Sequence, residues 1–285
     1  MYLSLLVPIL AVATATPVQV PFLSTSPASA AATTNETTTT TRVALTLGVM
    51  SRCPDAEICE TLIDRVLDTH TDRTGPRVVG DLVRLKLVYL AKTFGNLTCL
   101  HGPLECKANV QQLCAAAHWS RVSSTTTEEV EEEEEDDDDG LTAEKGHGEW
   151  KTWWNFVQCM NYGKRDRIGD VSTAKACAKV VGREWTNELE ECSKDSPDSE
   201  GAKLFRRSVA LSKKLEIEKS CTIVLDSKKI CVHDGTWKQC PGGHEVGDFV
   251  AQIKDEYKRL NTPTMQESDR LSVEEDETEE GWVTV

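Results

Sequence analysis

The residues best suited to chemistry in this chain lie between Cys99 and Cys114. Three cysteines, a histidine and an asparagine fall within Cys99-Leu-His-Gly-Pro-Leu-Glu-Cys-Lys-Ala-Asn-Val-Gln-Gln-Leu-Cys114. Thiols beside an imidazole can form disulfides, exchange them or bind a metal ion. The whole chain has 11 cysteines, an odd number, so at least one is free, catalytic or paired between chains. This density is typical of an oxidising compartment, because cytosolic thiols are kept reduced.

The segment resembles the signature of the gamma-interferon-inducible lysosomal thiol reductase family, which reads C-Q-H-G-x2-E-C-x2-N-x4-C. Leu100 stands where the family has glutamine. The residues that match are Cys99, His101, Gly102, Glu105, Cys106, Asn109 and Cys114. The resemblance implies an α/β, thioredoxin-like fold with a helical insertion. It also implies a thiol oxidoreductase that reduces disulfide-bonded proteins, with an external small thiol as reductant and no cofactor.

The hydrophobic pattern predicts the elements that must position these residues. A strand, a helix and a second strand come first, which implies a right-handed parallel crossover. More helices, a β-hairpin and a closing amphipathic helix follow. The predicted strands are 43–50, 83–90, 222–225 and 230–233, and the predicted helices are 54–69, 106–118, 150–162, 173–181, 185–192, 202–215 and 246–260. This order agrees with the disulfide-stapled thioredoxin-like domain that the resemblance implies over residues 43–260.

In the fold that the resemblance implies, the redox cysteine follows the first strand and opens the next helix. Cys53, directly before Pro54, occupies this place. The amide groups and the dipole of a helix N-terminus stabilise a thiolate, which is the nucleophilic form of cysteine. The usual motif is C-x-x-C, but here it reads Cys53-Pro54-Asp55-Ala56. The resolving cysteine of the motif is therefore missing.

Two other cysteines could take over the resolving role. Six residues of helix separate Cys59 from Cys53 by about 9 Å, whereas bridged cysteines need Cα atoms within about 7 Å. We therefore interpret Cys59 as a buried residue or as the partner of another structural cysteine. Alignment with the family places Cys221 at the cis-proline that faces the redox cysteine in thioredoxin-like folds. We expect Cys221 beside Cys53, able to pair with it or to resolve its mixed disulfide, with two ordinary bridges as the alternative.

Acidic side chains follow the expected nucleophile. Asp55, Glu57 and Glu60 favour a helix N-terminus but oppose a negative charge on Cys53, and Arg52 offsets them only in part. The sequence therefore predicts a less reactive thiol than that of an intact C-x-x-C enzyme.

Spacing also predicts structural disulfides. Cys106 and Cys114 lie about 12 Å apart along one helix, so they should not pair with each other. Cys99 is expected to reach one of them by looping back through Gly102. The other disulfides expected are Cys177 with Cys192, across a helical hairpin, and Cys231 with Cys240, around a surface loop.

A metal site is the alternative interpretation of the signature. Its ligands would be Cys99, His101, Cys106, Cys114 and His118. The secreted context and the lack of paired C-x-x-C knuckles favour disulfides, so no metal is predicted. His101 is interpreted as a hydrogen-bonded structural residue rather than a proton donor.

The net charge of −15 belongs to two segments rather than to the folded domain. Residues 128–139 carry 11 acidic side chains, and residues 266–285 carry 8 together with one arginine. We interpret these segments as part of an acidic loop insertion (121–148) and of a disordered tail (261–285). No basic stripe with interleaved aromatic residues occurs, which argues against a nucleic-acid partner.

The N-terminal region is interpreted as a signal peptide followed by a stalk. The apolar run 3–12 is too short to span a bilayer, and small residues follow it. Residues 1–15 are therefore expected to be cleaved, which leaves no membrane span, with an uncleaved anchor as the alternative. Residues 16–42 read as a disordered Ser/Thr-rich stalk. Sequons predict glycosylation at Asn35 and Asn96, and the expected location is secreted or vacuolar/lysosomal.

Two functions are compatible with these observations. In the first, Cys53 attacks a substrate disulfide, and Cys221, Cys59 or an external thiol resolves the mixed disulfide. In the second, the chain is a catalytically silent, disulfide-rich glycoprotein that acts as a binding module. Retention of Cys53 and Pro54 favours the first function, whereas Ala56 in the motif favours the second.

Overall fold

The computed structural model describes residues 40–71, 76–94, 96–120 and 149–262. The predicted signal peptide, nearly all of the stalk with Asn35, the acidic insertion and the tail from residue 263 lie outside the described residues, and so does the side chain of Asn96. Across the described ranges, none of the helices has the length and apolar character that a bilayer span requires.

Seven strands lie in the described residues: β1 (Val43–Val49), β2 (Val83–Tyr89), β3 (Lys92–Phe94), β4 (Asn96–Thr98), β5 (Thr222–Leu225), β6 (Lys228–Asp234) and β7 (Thr236–Lys238). A five-stranded mixed sheet forms the centre of the domain, with the strand order β2-β1-β5-β6-β7. The first strand runs parallel to the second and antiparallel to the fifth, so that Leu47 is paired with both Leu87 and Ile223. A separate two-stranded ribbon joins β3 and β4.

Seven α-helices lie in the described residues, together with short 3-10 turns at Val79–Leu82 and Arg165–Arg167. The helices are α1 (Pro54–Leu67), α2 (Pro103–Trp119), α3 (Glu149–Tyr162), α4 (Val171–Val180), α5 (Asn187–Cys192), α6 (Glu200–Lys214) and α7 (Val246–Asn261). The chain thus forms a parallel β1-α1-β2 unit, a set of helices, and an antiparallel ββα end. This topology is thioredoxin-like with a helical insertion, so the predicted fold class is confirmed.

The core explains why the strongly patterned segments were predictable. Four residues of β1 alternate as buried apolar side chains, and the aromatic segment of α3 is buried as well. Trp119 packs edge-on against Phe156 at 5.2 Å between ring centroids, and Phe156 stacks on Trp185 at 5.7 Å. The short strands β3, β4 and β7 were not predicted, because three residues are too few to show a period of two.

Five disulfides join ten of the eleven cysteines, all of which lie among the described residues. The predicted bridge between Cys177 and Cys192 is wrong. Cys177 on α4 is bonded to Cys159 on α3, and Cys192 on α5 is bonded to Cys114 on α2. The reason is packing: α4 packs against α3 and α5 against α2, and a helical pattern alone does not specify such pairs. Cys231 is bonded to Cys240 and Cys99 to Cys106.

Candidate active site

Cys53 lies in the turn between β1 and α1, where it is the N-cap residue of the helix. Its backbone is extended (φ −80°, ψ 129°), and Pro54 begins the helix, where its fixed φ is favourable and its missing N–H costs nothing. The Cys53 amide donates to the carbonyl of Met50 at 2.9 Å, which closes the turn. Cys53 has no disulfide partner and is 6 % exposed. The unpaired thiol therefore stands where the amides of a helix N-terminus favour a thiolate.

Ser220 and Cys221 face this turn from the start of β5. The sulfur of Cys53 lies 3.7 Å from the carbonyl oxygen of Ser220, and the hydroxyl of Ser220 accepts a hydrogen bond from the Met50 amide at 2.9 Å. The peptide bond between Ser220 and Cys221 is cis. The backbone at Cys221 is thus tied to the turn that carries Cys53.

The expected pairing of Cys53 with Cys221 is not formed. Cys221 is bonded to Cys59, with 6.2 Å between the Cα atoms, and both residues are fully buried. Cys59 is therefore both buried and the partner of another cysteine, the two interpretations that its helical spacing left open. Ala56, in the position of the second motif cysteine, is buried against the core and offers no sulfur.

The three acidic side chains after Cys53 are each paired or buried. Oδ1 of Asp55 accepts from the Gly235 amide at 2.9 Å and lies 2.7 Å from Nδ1 of His233. Glu57 forms an ion pair with Arg165 at 2.7 Å. Burial raises the pKa of Glu60 to about 8, although a hydrogen bond from Asn161 opposes the shift and the charge of Glu57 adds to it. The negative field that the sequence predicts around Cys53 is therefore weakened by these contacts.

The signature segment contacts the turn that carries Cys53. Asn109, fully buried on α2, accepts a hydrogen bond from the Ser51 amide at 3.2 Å through Oδ1, and its Nδ2 lies 3.7 Å from the sulfur of Cys99. The hydroxyl of Ser51 donates to the carbonyl oxygen of Glu105 at 3.2 Å. The guanidinium of Arg52 donates to the carbonyl oxygen of His101 at 3.1 Å. The signature thus holds both residues that precede Cys53.

The buried carboxylate of Glu105 fixes the position of His101. It contacts Nδ1 of the ring and accepts a hydrogen bond from the His101 amide at 3.2 Å. A metal site at this place would lack its thiolates, because Cys99, Cys106 and Cys114 are all in disulfides. His118, the remaining member of that alternative, lies 2.9 Å from a carboxylate oxygen of Glu200 instead.

Sequence reasoning missed the residues that support Cys53 from a distance. Ser220, His233 and Arg165 come from segments far along the chain, and no short-range spacing indicates them. Of the three, only Ser220 could have been found from the sequence, since it directly precedes Cys221, the residue that aligns with the family's cis-proline. Among the predicted site residues, Cys221 and Cys59 lie together as a disulfide, whereas Cys177, Cys192, Cys231 and Cys240 belong to bridges in other parts of the domain.

Replacing Asn109 with alanine is expected to slow any reaction of Cys53 about 10-fold, since small misplacements of a reacting group are costly. The substitution leaves the Ser51 amide without its acceptor, which should also lower the free energy of unfolding by about 1–3 kcal/mol. The matched control is Gln112→Ala, which removes a buried amide from the same helix that bonds the Tyr89 hydroxyl rather than the turn. Disulfide-reduction rates measured where both variants are fully folded should differ from wild type only for Asn109→Ala. Equal effects of the two substitutions would contradict this role.

Part of the chain is similar in sequence to a family of thiol reductases. Residues 44–181 match the family model described as gamma interferon inducible lysosomal thiol reductase (GILT). No curated protein matches the chain significantly. A crystal structure of a thioredoxin-like oxidoreductase from Silicibacter pomeroyi DSS-3 is similar at 14 % identity and a TM-score of 0.40, over 78 % of this chain and 88 % of that one. Wolbachia pipientis alpha-DsbA1 is similar at 11 % identity and a TM-score of 0.42, over 77 % and 87 % of the two chains.

Proposed function

We propose that this chain, as a member of the thiol reductase family matched by residues 44–181, reduces disulfide bonds of proteins through Cys53. The observation that carries the proposal is the state of this one sulfur. Ten cysteines are bonded to each other, and the eleventh stays unpaired at the N-terminus of α1. An unpaired thiol at a helix N-terminus, beside the carbonyl of Ser220, is positioned for thiol–disulfide exchange.

The reaction begins when the Cys53 thiolate attacks one sulfur of a substrate disulfide. A bond forms between Cys53 and that sulfur, and the other substrate sulfur leaves as a thiolate that takes up a proton. An external small thiol then attacks the sulfur of Cys53 in the mixed disulfide and frees the substrate. A second external thiol releases Cys53, so two external thiols are oxidised to a disulfide for each substrate disulfide reduced. No cofactor takes part in these steps.

The five disulfides among the described residues fit the secretory pathway, because such bonds persist in oxidising compartments. Within that pathway we propose a secreted or vacuolar/lysosomal location, as the name of the matched family suggests. The proposed substrates are disulfide-bonded proteins.

The alternative is a catalytically silent binding module on the same fold. Ala56 in place of the second motif cysteine favours it, as does the low exposure of Cys53. A module of this kind would use the five disulfides only to stabilise the domain, at roughly 3 kcal/mol for each bridge.

The deciding experiment compares the full chain with Cys53→Ser in the reduction of a protein disulfide by an external thiol. We expect the rate above the thiol-only background to fall at least about 100-fold in the variant, because serine cannot form the mixed disulfide. Since Cys53 has no disulfide partner, all five bridges remain in the variant, and an unchanged unfolding temperature is the check on folding. Identical rates for the two proteins would support the silent module.

A further inference from the structure

A second redox-active group lies next to Cys53. The Cys59–Cys221 disulfide joins the helix that Cys53 opens to the segment that faces Cys53. The carbonyl group of Ser220, 3.7 Å from the Cys53 sulfur, belongs to the peptide bond that leads directly into Cys221. The Ser220 hydroxyl is bonded to the Met50 amide, so this segment is held against the turn at two points. Three of the eleven sulfurs are therefore gathered at the N-terminal end and first two turns of α1.

We propose that Cys59 and Cys221 form the resolving couple for Cys53, and that the structure shows this couple in its oxidised state. This inference rests on the proposed function of Cys53. Cys59 and Cys221, which are 162 positions apart in the sequence, together take the role of the missing motif cysteine. Cys221 resolves the mixed disulfide, and Cys59 then resolves Cys221.

The electron balance follows from the exchange steps. In the reduced protein, the Cys221 thiolate attacks Cys53 in the mixed disulfide, forms a Cys53–Cys221 bond and expels the substrate as a thiol. The Cys59 thiolate then attacks Cys221, forms the Cys59–Cys221 bond and releases Cys53, which takes up a proton. The net result is one substrate disulfide reduced and one dithiol, Cys59 with Cys221, oxidised. The end point is the arrangement seen, with Cys53 free and the other two bonded.

Burial explains why the couple works through Cys53. Cys59 and Cys221 are fully buried, whereas Cys53 keeps 6 % of its surface exposed. An external small thiol therefore reaches the oxidised couple only after Cys53 has attacked Cys221 and released Cys59. The external thiol then reduces the Cys53–Cys221 bond, and a second one restores Cys53, so two thiols again become one disulfide. Reduction of the couple and reduction of substrate thus pass through the same sulfur, that of Cys53.

The positions of Cys59 and Cys221 also determine which of them reacts with Cys53 first. Six residues of helix place Cys59 about 9 Å along the axis from Cys53, which is too far for a direct bond without unwinding the first turn. Cys221 has no such helical separation, because the residue before it, Ser220, contacts the turn through its carbonyl oxygen and its hydroxyl. Exchange between Cys53 and Cys221 is therefore allowed, and exchange between Cys53 and Cys59 is not.

The test uses the single variants Cys59→Ser and Cys221→Ser of the full chain. Each is treated with oxidised glutathione, quenched in acid, alkylated and mapped without reduction. We expect a Cys53–Cys221 bond in Cys59→Ser and no Cys53–Cys59 bond in Cys221→Ser, which should instead keep glutathione on Cys53. In wild type, a small population with a Cys53–Cys221 bond and alkylated Cys59 is expected, and this measurement does not depend on how a variant folds. The double variant Cys159→Ser/Cys177→Ser, which removes a bridge between α3 and α4, should behave as wild type.

The possible failures are distinguishable. If Cys53 accepts glutathione in every protein but no Cys53–Cys221 bond forms in Cys59→Ser or in wild type, the relay is overturned and Cys53 remains the nucleophile. If Cys53 accepts no glutathione even in wild type, the proposed function fails and the relay fails with it. A Cys53–Cys59 bond in Cys221→Ser would overturn the order of the couple.

Discussion

Glu60→Gln is expected to remove most of the dependence of folding stability on pH between about 4.5 and 8. Glu60 is buried in α1, and its Oε1 atom has no hydrogen-bond partner while Oε2 accepts from Asn161 at 2.6 Å. Removal from water is the main reason that its pKa rises from 4.5 to about 8. A neutral amide of the same shape avoids the penalty of burying a charge.

Proton binding sets the direction in which the free energy of unfolding changes with pH. In the unfolded chain the carboxyl titrates near 4.5, so between pH 4.5 and 8 the folded protein holds the additional proton. The free energy of unfolding therefore falls as pH rises through this window. The stabilising contribution is complete below pH 4.5 and lost above pH 8. At roughly 1.4 kcal/mol per pKa unit, its total is about 5 kcal/mol.

Denaturant unfolding of wild type and Glu60→Gln across this pH range is the measurement. The wild type should become less stable toward pH 8, and the variant should stay nearly level. A small slope will remain in both proteins, because burial also raises the pKa of Asp64. Glu57→Gln is the control, since Glu57 is 40 % exposed and lies one turn earlier on the same helix. It should keep most of the slope, because the charge of Glu57 is only the smallest of the causes that shift the pKa of Glu60. A wild-type stability that rises between pH 5 and 8 would contradict the assignment.

Gly169→Ala is expected to destabilise the domain by about 4 kcal/mol or more, which is exceptional for a single added methyl group. Gly169 has φ +102°, and a Cβ atom there would lie 2.1 Å from the carbonyl oxygen of Leu104 at the start of α2. The contacting atoms are backbone, so one of the two segments must move. Gly169 follows the 3-10 turn of Arg165, whose carbonyl oxygen accepts from Arg52, so the loss should extend to the turn before Cys53.

Gly182→Ala separates the two causes of this effect. Gly182 also has a positive φ, +70°, but a Cβ atom there meets nothing within 4 Å. Its substitution should cost only the strain of a left-handed residue, about 1–2 kcal/mol. Thermal or denaturant unfolding of both variants checks the expectation. Similar losses in the two proteins would mean that backbone conformation, and not the contact with Leu104, controls the cost at Gly169.

The elements of the fold were largely predictable, since each depends on a pattern within a few turns of chain. The buried alternation of β1 and the apolar face of α1 after Pro54 are local signals, and both elements occur within two residues of their predicted bounds. The position of Cys53 at the helix N-terminus follows from the same signals together with the family resemblance. The bridge from Cys231 to Cys240 spans only nine positions and was predicted by the same kind of short-range spacing.

Amino-acid order by itself determined where the longer strands and helices lie and which residues form the signature, because these properties depend on neighbours along the chain. Only the tertiary structure decided that Cys59 meets Cys221, that Asp55 and Glu57 are paired with His233 and Arg165, and that Asn109 holds the turn before Cys53. These contacts join segments separated by about 60 to 180 positions. Their formation depends on how helices pack over the sheet, and local sequence preferences do not specify that packing.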